Sequence, residues 1–187
     1  MYEDFIKRAI IKRDDYLLKT EELFVSNKNL WLNDFAEHFQ SVCDKIRKMQ
    51  DRLDIAALSY LEYTMLYTNF VNRQYVAEVR VYGYESYLDK TQQAIDDYDI
   101  SFLFVYFDKL WDDLLTERKR YIGKVKASDV NSFMLKTSRD FYLYLVKIAR
   151  YAVARCVKSK SFINIDKNEK FILNIGDYMA ETKTIYY

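Results

Sequence analysis

Between Tyr75 and Tyr82 the side chains alternate, with Tyr75, Ala77, Val79 and Val81 on one side and Val76, Glu78, Arg80 and Tyr82 on the other. A two-residue period belongs to a half-buried strand and does not fit a helix, whose faces repeat every 3.6 residues. The preceding segment, from Leu58 to Thr68, is rich in aromatic and β-tolerant residues, and the polar stretch from Asn69 to Gln74 suits a chain reversal. Together they predict a central β-hairpin over residues 58–83. Two strands alone are marginal in water, so amphipathic helices on either side must cover them.

The flanking sequence supplies such helices. Phe5, Ile6, Ala9, Ile10, Tyr16, Leu17 and Phe24 recur at helical spacing, and Glu3 and Asp4 sit in the first turn, where they complement the helix dipole. Residues Ser26 to Asn29 prefer helix caps and predict a break. After them Trp31, Phe35, Phe39, Val42, Ile46, Met49 and Leu53 mark a second helix, expected to pack antiparallel on the first. Asp89 to Gln92 has the pattern of a capping box for a short helix ending near Tyr98. A third helix, capped by Asp99 or Ser101 and stopped by Gly123, gathers Leu103, Phe107, Leu110, Trp111, Leu114, Leu115 and Tyr121 on one face. A fourth and longer one opens at Ser128 or Asp129 and runs to about Lys158, burying Val130, Met134, Phe141, Leu145, Ile148, Ala152 and Cys156. The period then changes again, and Phe162 to Ile165, a turn at 166–169 and Lys170 to Ile175 predict a second hairpin near 162–175. The predicted fold class is α+β, mainly helical, in a single domain spanning 1–187. The alternative is an all-α bundle in which 55–82 continues as helix, since no Pro or Gly forbids it.

Half of the residues are hydrophobic and 17% aromatic, which excludes a disordered chain and assigns most of the tyrosines and phenylalanines to a core and its rim. No run approaches the ~18 apolar residues of a membrane span, and the opening residues lack the pattern of a signal peptide, so a cytoplasmic location with no membrane partner is the default expectation. Cys43 and Cys156 form no CxxC pair and read as ordinary buried thiols. The richness in Lys, Asn, Ile and Tyr without Pro is typical of AT-rich bacterial or phage genomes.

Most common chemistries are excluded by what is missing from the sequence. Three isolated glycines (Gly83, Gly123 and Gly176) cannot build the phosphate cradles of Rossmann or P-loop proteins. A single histidine excludes HExxH and every cluster that needs two imidazoles, and GxSxG is absent. His38 falls between Phe35 and Val42 and reads as a core-edge histidine, with no neighbouring pattern to make it a catalytic base. Carboxylates remain. Asp108 and Asp112 stand one helical turn apart, a spacing that can share a divalent metal or simply form a solvated face beside Lys109 and Lys119. Glu78 and Arg80 share a strand face and loosely resemble the ExK step of metal-dependent nucleases, a match that charged strand faces produce often by chance. No cofactor is implied.

Charge is distributed more unevenly than the net +1 suggests. From Glu85 to Glu117 nine acids face two bases, and from Arg118 to Lys160 twelve bases face two acids. On the fourth helix Lys136, Arg139, Lys147, Arg150 and Lys158 fall within about a third of the circumference, opposite the apolar face, as a basic stripe interrupted by Asp140. Such a stripe suits a phosphate backbone or an acidic protein, or it solvates the helix and pairs with the acids of the same chain. Tyr82, Tyr84 and Tyr87 follow the central strand and offer either a contact surface or rim packing. The combined reading is a non-enzymatic partner-binding protein of accessory, regulatory or inhibitor type with a protein partner. A nucleic-acid-binding protein using the basic stripe is the alternative, and a metal-dependent hydrolase or nuclease the remaining one.

Overall fold

The central hairpin forms where the alternation places it. In the computed structural model, which describes residues 1–83, 93–178 and 180–187, β1 (Leu58–Met65) pairs antiparallel with β2 (Val76–Tyr82), Leu61 opposite Val81 and Tyr63 opposite Val79. The link between them holds a short helix, α2 (Tyr67–Val71), and a turn in which Arg73 takes a positive φ of 55°. Three further strands complete a five-stranded mixed sheet in the order β3-β2-β1-β4-β5. They are β3 (Gln93–Asp99), antiparallel to β2, β4 (Lys167–Asp177), parallel to β1, and β5 (Thr182–Tyr186), antiparallel to β4. The helices are α1 (Tyr2–Asp51), α3 (Val105–Glu117), α4 (Ala127–Cys156) and α5 (Lys160–Asn164). The fold is α+β and mainly helical, and the two strands at 58–82 rule out the all-α bundle.

Three local expectations are corrected. The two N-terminal helices are one 50-residue helix, so there is no antiparallel pair. Ser26 and Asn27 do not cap: the Ser26 hydroxyl donates to the Glu22 carbonyl and the Asn27 amide to the Leu23 carbonyl, each four residues back, so both satisfy themselves inside the helix. Residues 93–99 are a strand and not the end of a short helix; the supposed capping box at 89–92 lies outside the described residues. The C-terminal hairpin exists but lies later than predicted. Ser159 accepts a hydrogen bond from the Phe162 amide and starts α5, which buries Phe162; Ile165, one turn on, is buried too, and residues 167–177 then run as one strand that turns back into β5.

Contacts cluster into two compact units, each fed by both long helices: Met1–Asn27 with Tyr67–Tyr75 and Ile100–Tyr144, and Lys28–Leu66 with Val76–Asp99 and Leu145–Tyr187. The first is an aromatic helical cluster. Tyr75 stacks on Phe104 at 4.5 Å, and Phe70, Phe107 and Phe141 close around that pair in tilted and edge-to-face contacts. In the second, Phe35, Phe39, Val42 and Ile46 of α1 are fully buried, as are the sheet residues Leu61, Tyr63, Val79 and Ile175. Phe35 touches both Tyr63 and Tyr98. Side chains of this size bury roughly 1.5–3 kcal/mol each, so the long α1 is held by its packing more than by its own propensity.

Candidate functional site

Helix α4 is amphipathic because Val130, Met134, Phe141, Leu145, Ile148, Ala152 and Cys156 recur at helical spacing and are all buried, as the sequence predicted. That turns the opposite face outward. Lys136, Lys147, Arg150 and Lys158 are exposed and Arg139 is half-buried, with Lys158 just past the last helical turn. Lys136 and Arg139 belong to the first unit, where they line an open pocket of about 460 Å³ with Tyr67, Ser132 and Leu135. Lys147, Arg150 and Lys158 belong to the second. Asp140, which interrupts the stripe in sequence, is approached by Arg13 at 3.8 Å, and burial raises its carboxyl above the usual range.

Two residues on this face carried no signal as part of a charged pattern. Leu143 lies between Arg139 and Lys147 and is 39% exposed; Tyr151 follows Arg150, is 59% exposed and carries the Lys28 ammonium 3.7 Å above its ring. The spacing puts both on the row of the charged residues, since a residue four or seven positions along shares its helical face, but only the burial of the neighbouring faces shows that they stay outside.

The acidic segment has cations of its own. Asp108 and Asp112 both meet Arg73, at 3.7 and 2.6 Å, and Asp108 also accepts the Tyr75 hydroxyl. Asp113 and Glu117 meet Lys12 at 3.5 and 3.2 Å, and Asp96 meets Lys45 at 2.6 Å. Asp108 and Asp112 thus share a guanidinium, and among the described residues no group of three His, Cys, Asp or Glu is arranged to hold a metal ion. Glu78 and Arg80 are likewise joined to each other, with the Arg80 guanidinium over the Tyr178 ring. Beside them on the sheet Glu62 is buried, its Oε1 accepting from Asn174 Nδ2 at 3.0 Å, while Asn174 Oδ1 accepts from the Thr184 hydroxyl at 3.0 Å. Sequence reading missed this chain because its members come from three strands.

Tyr82 lies in the core and His38 at its edge. Tyr82 is 1% exposed and packs instead of presenting a contact surface, and Tyr84 and Tyr87 lie outside the described residues. His38 sits at the core edge against Tyr63 and Tyr98. Burial pushes the thiols of Cys43 and Cys156 up to about 12 and about 11, leaving both protonated and unreactive at neutral pH. No described helix is long and apolar enough to cross a membrane. No family model matches this chain, and neither a curated protein nor a solved structure matches it.

Proposed function

We propose that this chain is a non-enzymatic partner-binding protein that docks an acidic, partly apolar protein surface on the exposed face of α4. The observation that carries this reading is Leu143, exposed in the middle of the cationic row. A phosphate backbone offers no carbon surface to an apolar side chain, whereas a protein partner that covers the exposed 39% of Leu143 recovers roughly 0.6–1.2 kcal/mol. Lys136 and Arg139, in the same unit as Leu143, then orient the partner and speed its encounter.

A photo-crosslinking residue at position 143 tests it in the source cell. A protein with an acidic face is expected to be captured there, and lost on Lys136→Glu/Arg139→Glu, while the same residue at the exposed Ile163 captures nothing comparable. Duplex DNA and RNA are expected not to bind below ~100 μM at physiological salt, the ordinary non-specific range. Tighter binding, with a salt slope of ~0.9 for each phosphate contacted, would move the assignment to nucleic acid.

A further inference from the structure

The first unit carries a second exposed stripe, on α1. At 100° per residue Ile11, Asp15, Leu18, Glu22 and Val25 fall within about 80° of arc. Ile11, Leu18 and Val25 are 62%, 66% and 66% exposed, a heptad-spaced apolar row with acids between its members. Of the bases nearby, Lys12 turns to Asp113 and Glu117, Arg13 to Asp14 and Asp140, and Lys19 over the Tyr16 ring, while Lys7, one turn before Ile11, is exposed at the N-terminal end of the row. In the same unit α4 presents Lys136, Arg139 and Leu143. The two helices run side by side in the same direction, since Arg13 meets Asp140 and the Leu17 carbonyl accepts from the Tyr144 hydroxyl one turn farther along both. Between them lies an open groove of about 350 Å³, lined by Asp14, Leu17, Leu18, Glu21 and Tyr144.

We infer that this surface is self-complementary and that the acidic, partly apolar partner of the α4 face is the α1 face of a second copy of this chain. The inference rests on the reading of α4 given above and names its partner. Charge fixes the symmetry. A two-fold axis running along the two helices, between them, stacks each α1 on the other copy's α4, acid on base twice and Leu18 toward Leu143. An axis running across the helices stacks α1 on α1, acid on acid, and is disfavoured. The dimer is salt-sensitive, because Asp15, Glu22 and Lys136 are exposed in the single chain.

Sedimentation of the full chain over a range of protein and salt concentrations, with two charge-reversed variants, tests this. The wild type is expected to move toward twice the monomer mass with rising concentration at low salt and to dissociate at high salt. Asp15→Lys/Glu22→Lys and Lys136→Glu/Arg139→Glu are each expected to stay monomeric. Mixed in equal amounts they should form a one-to-one heterodimer, since the lysines on α1 of one then face the glutamates on α4 of the other while the native pair is kept in the second contact. Recovery in the mixture also shows that both variants fold. A wild type that stays monomeric throughout, a dimer indifferent to either variant, or a mixture that fails to associate overturns the inference. Asp15→Lys/Glu22→Lys leaves the α4 face intact, so crosslinking from position 143 in that background reports on α4 independently of self-association.

Discussion

The Nδ1 of His38 and the hydroxyl of Tyr63 share a hydrogen bond of 3.2 Å at a point where Tyr63 has no access to water. The imidazole lies against the Tyr98 ring, 4.5 Å between centroids, and its Nε2 faces the Asp96 carboxylate at 3.6 Å. Burial pushes the His38 pKa below 6.5, outweighing the pull of Asp96 in the opposite direction. The neutral ring is therefore the folded form, and the pair is structural.

A pH dependence follows from that shift. With the folded pKa below the unfolded one, the stabilisation from neutral His38 is fully present above 6.5 and is lost as pH falls through the folded pKa, because the unfolded chain takes up its proton first. Urea midpoints are expected to fall between about pH 8 and 5, with a shallower slope in His38→Gln. At neutral pH Tyr63→Phe is expected to cost about 1–3 kcal/mol, since it leaves a buried ring nitrogen without its partner.

Glu62 and Asn174 give a second test. Asn174→Leu removes a donor from a buried carboxylate and is expected to destabilise by about 2–3 kcal/mol, near the upper range for a buried group deprived of a partner. Glu62→Gln keeps the shape and an oxygen that can accept from Asn174, so it should cost less. Chemical denaturation of both variants at one pH checks the order, and a reversed order would remove the carboxylate from the network.

Arg73 combines a left-handed backbone with a side chain that ties Asp108 and Asp112. The backbone costs a non-glycine residue roughly 1–2 kcal/mol, while ion pairs this exposed contribute at most about 1 kcal/mol. Arg73→Gly is expected to be less damaging than Arg73→Ala, although both remove the same guanidinium. Thermal melts of the two variants decide.

Gly176 is required for a close approach between backbones. A methyl group there would meet the Glu181 carbonyl oxygen and, at 2.5 Å, the Thr182 Cα, both main chain where the returning strand begins. Gly176→Ala is expected to destabilise by about 1–3 kcal/mol, the usual range for overpacking, with the largest loss of amide protection in β4 and β5.

The elements easiest to read were those in which one pattern dominated. Val79 and Val81 alternate with Glu78 and Arg80, and the row from Val130 to Cys156 keeps one period throughout, so β2 and α4 followed directly. Where local preference and the contacts of the fold disagree, the contacts decided. Ser26 and Asn27 look like caps, but each hydrogen-bonds the carbonyl four residues back and the helix continues through them. Residues 93–99 contain three aspartates and little β propensity, yet Tyr98 reaches Asp34 and Asp96 reaches Lys45, and these partners far away in sequence stabilise a strand there. The basic stripe was visible in the spacing of its charges. Its apolar centre at Leu143 and the opposing row on α1 were not, because only the burial of neighbouring faces shows which hydrophobic residues stay outside.

The parallel pairing of β1 with β4 also sets an order of events during synthesis. Leu61 must wait for Leu173, which leaves the ribosome long after the β1–β2 hairpin has emerged. Until then the hairpin has an open flank, and contacts this distant in sequence form slowly. That flank carries Leu61, Tyr63 and Met65, a segment able to recruit a strand from a neighbouring nascent chain. Early in the life of the protein its yield therefore depends on how long translation keeps β4 from reaching β1.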